Sequence, residues 1–181
     1  MVKDNKKRIF AGVAIAGIFC FAIIFLGISF VLNSSDGQKQ LRALESGAQF
    51  LGTDEVVLQP DRNGCGPAVL MMVFNHYRIS SSLSEIEQTV GTHAKGLSML
   101  ALKQIAELKG LEAQGYRYTF SELSKAPMPA ILFVRGDHFV IVDSIDPMGA
   151  AYMRDPSVGR TKVSQRALAN IWKGETLVFQ K

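Results

Sequence analysis

Ile9 to Leu32 reads IFAGVAIAGIFCFAIIFLGISFVL, an uncharged run with no polar face. At about 1.5 Å per residue, a helix of this length crosses a bilayer core of about 30 Å. The run is long for the apolar region of a signal peptide, and Asn33, Ser34 and Ser35 offer no A-x-A cleavage site. An uncleaved anchor is the first reading, a cleaved signal peptide the second. Asn33 to Gly52 is polar and reads as a partly helical linker, with the globular part starting near Thr53. There Val56–Leu58 predicts a short strand, and Pro67 to Tyr77 an apolar helix entered through Gly64-Cys65-Gly66. Ser84 and Glu87 have capping-box spacing for a short helix that stops at Gly91. Leu97, Leu100, Ala101, Ile105 and Leu108 share one helical face, which ends at Gly110. Gly115–Phe120 predicts a strand, followed by a loop around Pro127 and Pro129. From Ala130 the pattern is β. Ile131–Val134, His138–Ile145 and Ala150–Arg154 are strands, separated by the turns Arg135-Gly136-Asp137 and Asp146-Pro147-Met148-Gly149. The second turn fits type I, with Asp, Pro and Gly at its first, second and fourth positions. Ser164 caps a last helix through Trp172, and Thr176–Phe179 closes the chain as a strand. Helices precede a sheet, an α+β organisation.

Composition and charge refine this picture in one respect. The 181 residues, 48% hydrophobic and 20% charged, suit one domain with a hydrophobic appendage. Of the net charge of +4, three units gather at residues 1–8, where Lys3, Lys6, Lys7 and Arg8 face only Asp4. The remainder is nearly neutral, without basic–aromatic interleaving, which excludes nucleic acid as a partner. Because the basic cluster precedes the apolar run, the positive-inside rule keeps residues 1–8 in the cytoplasm and sends the rest across. The expectation is a single-pass protein of a bacterial cytoplasmic membrane with a periplasmic domain. Residues 1–8 are its tail, 9–32 its transmembrane helix, 33–52 a linker and 53–181 the folded domain. Cys20 lies in the apolar run, so Cys65 is the one thiol of the folded part. A disulfide within that part is excluded, no Cys/His set has metal-ligand spacing, and no cofactor is expected.

Cys65 stands where a loop becomes a helix. A thiol there feels the positive end of the helix dipole, which favours the thiolate. Gly64 and Gly66 are expected to leave the sulfur uncovered and to admit a substrate backbone. Free cysteine is more often a small buried hydrophobe, but glycines and polar neighbours count against that reading here. A cysteine nucleophile needs a base. His76 is about 16 Å from Cys65 along the helix, too far to serve, and His93 has no placeable partner. His138 opens a strand whose apolar neighbours fix its position. If the following hairpin turns on Pro147 and Met148, paired residues sum to about 295. Residue 138 then faces 157, with Asp155 a diagonal neighbour about 7–8 Å away. Asp146 lies at the far end of the hairpin, more than about 20 Å from His138. Asp155 is therefore the better orienting carboxylate, its alternative role being a turn former before Pro156. Gln59, six residues before Cys65, can place its amide beside the Cys65 N–H as an oxyanion donor. The alternative is an exposed polar residue at a strand end.

Gln59, then Cys65-Gly66-Pro67-Ala68, His138-Phe139-Val140-Ile141-Val142 and Asp155-Pro156, taken in this order and spacing, resemble the bacteriocin-processing cysteine peptidases. These are family 39 of the cysteine peptidases, which cut leaders after a double glycine. Gly96-Leu97 with Leu100, Pro129, and Trp172-x-Gly174 with Leu177 agree. The resemblance covers Val56 to Lys181. It implies a papain-like fold with a helical half and an antiparallel β half. It also implies Cys65 as nucleophile, His138 as general base, Asp155 as orienting residue and Gln59 as oxyanion donor. Partners implied are a peptide or protein substrate and a secretion or export machinery. Two departures stand out. Gly64 replaces the family's usual Asp before the cysteine, and the sequence holds no G-x-x-x-x-G-K-[ST] motif of an exporter ATPase. The expected member is thus stand-alone and membrane-anchored. Alternatives are a non-catalytic peptide-binding or maturation module, or acyl transfer by the same thiol.

Overall fold

The computed structural model describes residues 23–27, 29, 34–45, 47–90 and 96–181. Residues 23–27 are helical, with Ile23, Ile24, Phe25 and Leu26 exposed. No helix among the described residues is long and apolar enough to cross a membrane. The expected anchor, Ile9–Leu32, lies mostly outside them, as do the basic tail, Gly91 and His93.

From Lys39 onward the chain forms one compact unit. In chain order the elements are α1 (Ser35–Glu45), β1 (Ala48–Gly52), α2 (Cys65–His76), α3 (Leu83–Val90), α4 (Met99–Leu108), β2 (Glu112–Arg117) and α5 (Phe120–Leu123). They continue with β3 (Ala130–Val134), β4 (His138–Ile145), β5 (Ala151–Asp155), β6 (Gly159–Val163), α6 (Gln165–Ile171) and β7 (Trp172–Gln180). Among the described residues, seven strands make one sheet in the order β1-β6-β5-β4-β3-β7-β2, and every pair is antiparallel. The α+β expectation holds for this part of the chain.

The apolar runs from Ala130 do not alternate because both faces of the sheet are covered. Ile131, Phe139 and Ile141 point to the face packed by α2, α3 and α4, where they meet Val69, Val73, Ile86, Leu102 and Ile105. Leu132, Val134, Val140 and Val142 point to the other face and meet Ala43, Leu123 and Leu168 of α1, α5 and α6. Fully burying one such Leu, Ile or Val is worth about 1.5–3 kcal/mol. This two-sided packing makes β3 and β4 a rigid base for whatever stands at their shared end.

Several elements differ from expectation. Val56–Leu58 is not a strand. The edge of β6 is taken by β1 instead, and the 56–58 stretch packs Val56 and Val57 against the helical face of the core. The sheet thus reaches back into the stretch expected as linker. The cap of α3 is Ser82, whose Oγ accepts the Glu85 N–H at 3.2 Å. Ser84 lies inside that helix and accepts from Gln88. Two Ser-x-x-Glu frames overlap here, and the chosen one has Glu85 also held by Ser81 and Lys109. In α4 the buried face is Leu102, Ile105 and Ala106, while Leu100 and Leu108 are exposed. The helix carries two apolar frames sharing Ile105, and contact with the α2 and β2 packing selects the other. The strand expected over Gly115–Phe120 runs Glu112–Arg117, because Thr119 and Glu122 form a capping box that opens α5. Trp172 belongs to β7 rather than to the last helix, its indole N–H donating to the Glu175 carbonyl at 3.0 Å.

Candidate active site

Three separate elements converge at the end of β4. Cys65 is the first residue of α2, with Gly64 before it and Pro67 in the first turn. The helix is held through Val69, Leu70 and Val73, fully buried in the core. His138 is the first residue of β4, directly after a turn in which Arg135 and Gly136 have φ of 57° and 80°. The turn is closed by the Asp137 N–H, which donates to the Val134 carbonyl at 3.3 Å. Val134 pairs with His138 across it. Asp155 ends β5. Near the site β4 and β5 pair Ile141 with Arg154 and Val142 with Met153, the register that the Asp146 turn predicts. A bulge at Asp143 shifts the pairing by one residue only beyond that point, towards the turn. Asp155 is therefore beside His138, with His138 Nε2 donating to Asp155 Oδ1 at 2.8 Å. Asp146 is spent on its own turn, accepting the N–H groups of Met148 and Ala150.

With Nε2 committed to Asp155, the other imidazole nitrogen is the one left to act on the Cys65 thiol. The electrostatics follow from these contacts. Burial pushes the Cys65 thiol up, but the His138 hydrogen bond, the backbone N–H groups of Phe139 and Gly66, and the imidazolium charge outweigh it. The net result is a thiol below its ordinary value. Burial likewise opposes charge on His138, yet Asp155 and Cys65 raise it to about 9. Asp155 is pushed up by burial and brought down further by His138 and Ser157, ending below the usual carboxylate range. A thiolate–imidazolium pair backed by a carboxylate is the form these shifts favour, and it can attack a carbonyl carbon and then protonate a leaving amine.

The groups face a cleft of about 490 Å³ lined by Gln59, Asn63, Leu97, Arg135 and Phe139, among others. Gln59 is anchored at both ends. Its N–H donates to the Pro156 carbonyl at 2.9 Å, and its Nε2 donates to the Asp61 carbonyl at 2.6 Å. One amide hydrogen thus remains for a ligand, and Gln59 Oε1 is buried without a partner. The sulfur is less open than the flanking glycines suggest, since Cys65 is 6% exposed. A Cβ at Gly66 would stand 3.0 Å from Leu97 Cβ, so this glycine lets Leu97 close over the site. His76 sits at the other end of α2, edge-on to Tyr77. Two further residues contact Asp155: Ser157, which donates N–H and Oγ–H to it, and Arg135, 3.5 Å from its other oxygen. The Asp155-Pro156-Ser157 spacing, typical of a side chain closing a turn on the backbone two residues on, is the one signal that pointed to Ser157. Among the described residues no group of His, Cys, Asp and Glu is placed to hold a metal ion.

A protein of Methanothermobacter marburgensis is 29% identical over 132 residues, 73% of this chain and 92% of its own length. The lactococcin-A transport/processing ATP-binding protein LcnC of Lactococcus lactis is 30% identical over 126 residues, 66% of this chain but 18% of its own length. Among solved structures, a double glycine motif protease from an AMS/PCAT transporter, crystallised with the leader peptide, superposes with a TM-score of 0.65 at 30% identity. That match covers 68% of this chain and 89% of that one. The profile of the Peptidase C39 family matches residues 53–181, the segment that holds Gln59, Cys65, His138 and Asp155. On that match the chain belongs to the peptidase C39 family and is a cysteine peptidase.

Proposed function

We propose that the chain is an endopeptidase that removes leaders from secreted peptides or proteins, cutting after a Gly-Gly type site through Cys65, His138 and Asp155. The observation that carries this reading is His138, hydrogen-bonded to the buried Asp155 carboxylate and lining one cleft with Cys65, whose thiol the imidazole pulls below its ordinary value. In the first step the Cys65 thiolate attacks the scissile carbonyl carbon. The oxyanion that forms is met by the Cys65 N–H and the free amide hydrogen of Gln59. The His138 imidazolium gives its proton to the leaving amine, and a thioester remains on Cys65. The now neutral His138 takes a proton from water, hydroxide attacks the thioester, and the thiolate leaves with the ion pair restored. Asp155 keeps Nε2–H oriented throughout and is not itself consumed. Glycines on the substrate suit a cleft that Leu97 narrows.

The double glycine comes from the solved relative, which is described as a double glycine motif protease bound to a leader peptide. For placement, we read Ile9–Leu32 as an uncleaved anchor with the domain outside the cytoplasm, supported by the uncharged run and the basic cluster before it. Incubating the full chain with a synthetic leader peptide ending in Gly-Gly and a short cargo tests the chemistry. Mass spectrometry is expected to find cleavage after the second glycine, absent in Cys65→Ala, which keeps the wild-type unfolding midpoint within about 2 °C. A Cys65→Ala chain that supports full function in cells would instead favour a non-catalytic binding module.

A further inference from the structure

We propose that Ser157 and Arg135 are positioning residues: together they fix the Asp155 carboxylate for His138 and screen it from water on two sides. The proposal rests on the peptidase reading above and adds two residues to it. Asp155 Oδ1 receives three donors: His138 Nε2 at 2.8 Å, the Ser157 N–H at 2.8 Å and the Ser157 hydroxyl at 2.6 Å. Three donors on one oxygen set the rotation of the carboxylate, so its lone pairs stay aimed at the imidazole. Asp155 Oδ2 is left to Arg135, whose Nη2 lies 3.5 Å away. No other charged side chain is recorded against this carboxylate among the described residues. The next arginine along, Arg154, is turned to Asp143 through three hydrogen bonds.

The surroundings of Asp155 give the second half of the argument. The cleft at Cys65 has a neighbour, a cavity of about 660 Å³ lined by Arg42, Glu45, Val158 and Asn170, among others. Two residues line both cavities, and they are Arg135 and Ser157. The two residues that contact Asp155 thus border both spaces, and Asp155 beside them is 5% exposed. The Arg135 φ of 57° is left-handed, a conformation that L-residues adopt at a cost and glycine adopts freely. Glu55 and Arg78 share that conformation, so the turn accepts glycine at 135 without demanding it, and the ion pair that the Arg135 side chain makes is with Asp155.

The titratable and charged groups around the carboxylate are His138 on β4, Arg135 in the preceding turn, and Cys65 behind His138. The Ser157 donors favour the ionised carboxylate, so removing the hydroxyl moves its protonation upward in pH. The test is made on the full chain, with kcat and KM for leader cleavage and the rate of Cys65 alkylation by iodoacetamide followed from pH 4 to 10. Ser157→Ala is expected to lower kcat about tenfold with KM within about twofold, and, through the weaker hold of Asp155 on the imidazolium that lowers the thiol, to move the acid limb of both profiles upward in pH. Ser157→Thr, which restores a hydroxyl, returns both. Arg135→Gly shifts kcat and the acid limb in the same direction without lowering the unfolding midpoint, since glycine fits the turn. This variant carries the test should Ser157→Ala fail to fold. Wild-type kcat and acid limb in these variants, beside a wild-type thiol that alkylates fast below pH 7, overturn the positioning role and leave the peptidase reading standing. A wild-type thiol that reacts only near its ordinary pKa of about 8.5 overturns both.

Discussion

Neither Cys65 nor His138 titrates as an isolated group. The thiol is lowered against the effect of its burial, and the imidazole is raised to about 9 against its own. The ion pair therefore exists in the window above the lowered thiol pKa and below about 9. The sign has a direct consequence for rates. Leader cleavage is expected to hold through neutral pH and to fall as pH rises through about 9, where His138 loses the proton it gives to the leaving amine. His138→Ala removes every lowering contact that side chain makes and leaves the burial. Its Cys65 is expected to alkylate slowly until the pH passes the ordinary thiol value of about 8.5. Iodoacetamide rates against pH distinguish the two curves, and a mutant curve equal to wild type would mean that the imidazole does not govern the thiol.

The β5–β6 turn sets a different kind of constraint, because the chain must place Asp155, close a turn and meet the β1 edge within a few residues. Gly159 does this at a φ of 132°, and a Cβ there would lie 2.5 Å from the Gly52 carbonyl oxygen and 2.9 Å from Phe50 Cε2. A flexible side chain could move aside; a strand backbone cannot. Gly159→Ala is expected to cost about 3 kcal/mol in thermal or urea unfolding. Cleavage should fall as well, since the strained turn is the one that holds Asp155. An unfolding midpoint equal to wild type would show that β1 yields freely. At this level the sequence was most informative where a turn fixed a register. Asp146, Pro147 and Gly149 marked the β4–β5 hairpin, and the register they predict holds near the site, though beside the turn itself the pairing is one residue off and the bulge at Asp143 makes up the difference. It was least informative where two frames compete. Ser82 against Ser84, and Leu102 against Leu100, differ only in what the folded chain packs on them. Arg135 and Ser157 escaped notice for a related reason: their role depends on side-chain direction, which no periodicity encodes.

Among the described residues the sheet has β1 and β2 at its edges and helices on both faces, and β1 covers what would otherwise be the open edge of β6. Its pairing with β6 runs from Ala48–Val163 to Gly52–Arg160. A fragment starting at Thr53 removes that cover and bares the backbone donors and acceptors of β6. It is expected to unfold at lower temperature than a chain that keeps Ala48–Gly52, and to self-associate. Calorimetry and light scattering on the two chains check this, and equal behaviour would make β1 dispensable. The order of the site along the chain has a further consequence. Cys65 opens the first helix of the layer that α2, α3 and α4 form, whereas His138 and Asp155 arrive with later strands. During synthesis the sulfur has no imidazole beside it and behaves as an ordinary thiol. Reactivity switches on as β4 and β5 dock beneath α2, so a chain that travels before it folds travels disarmed.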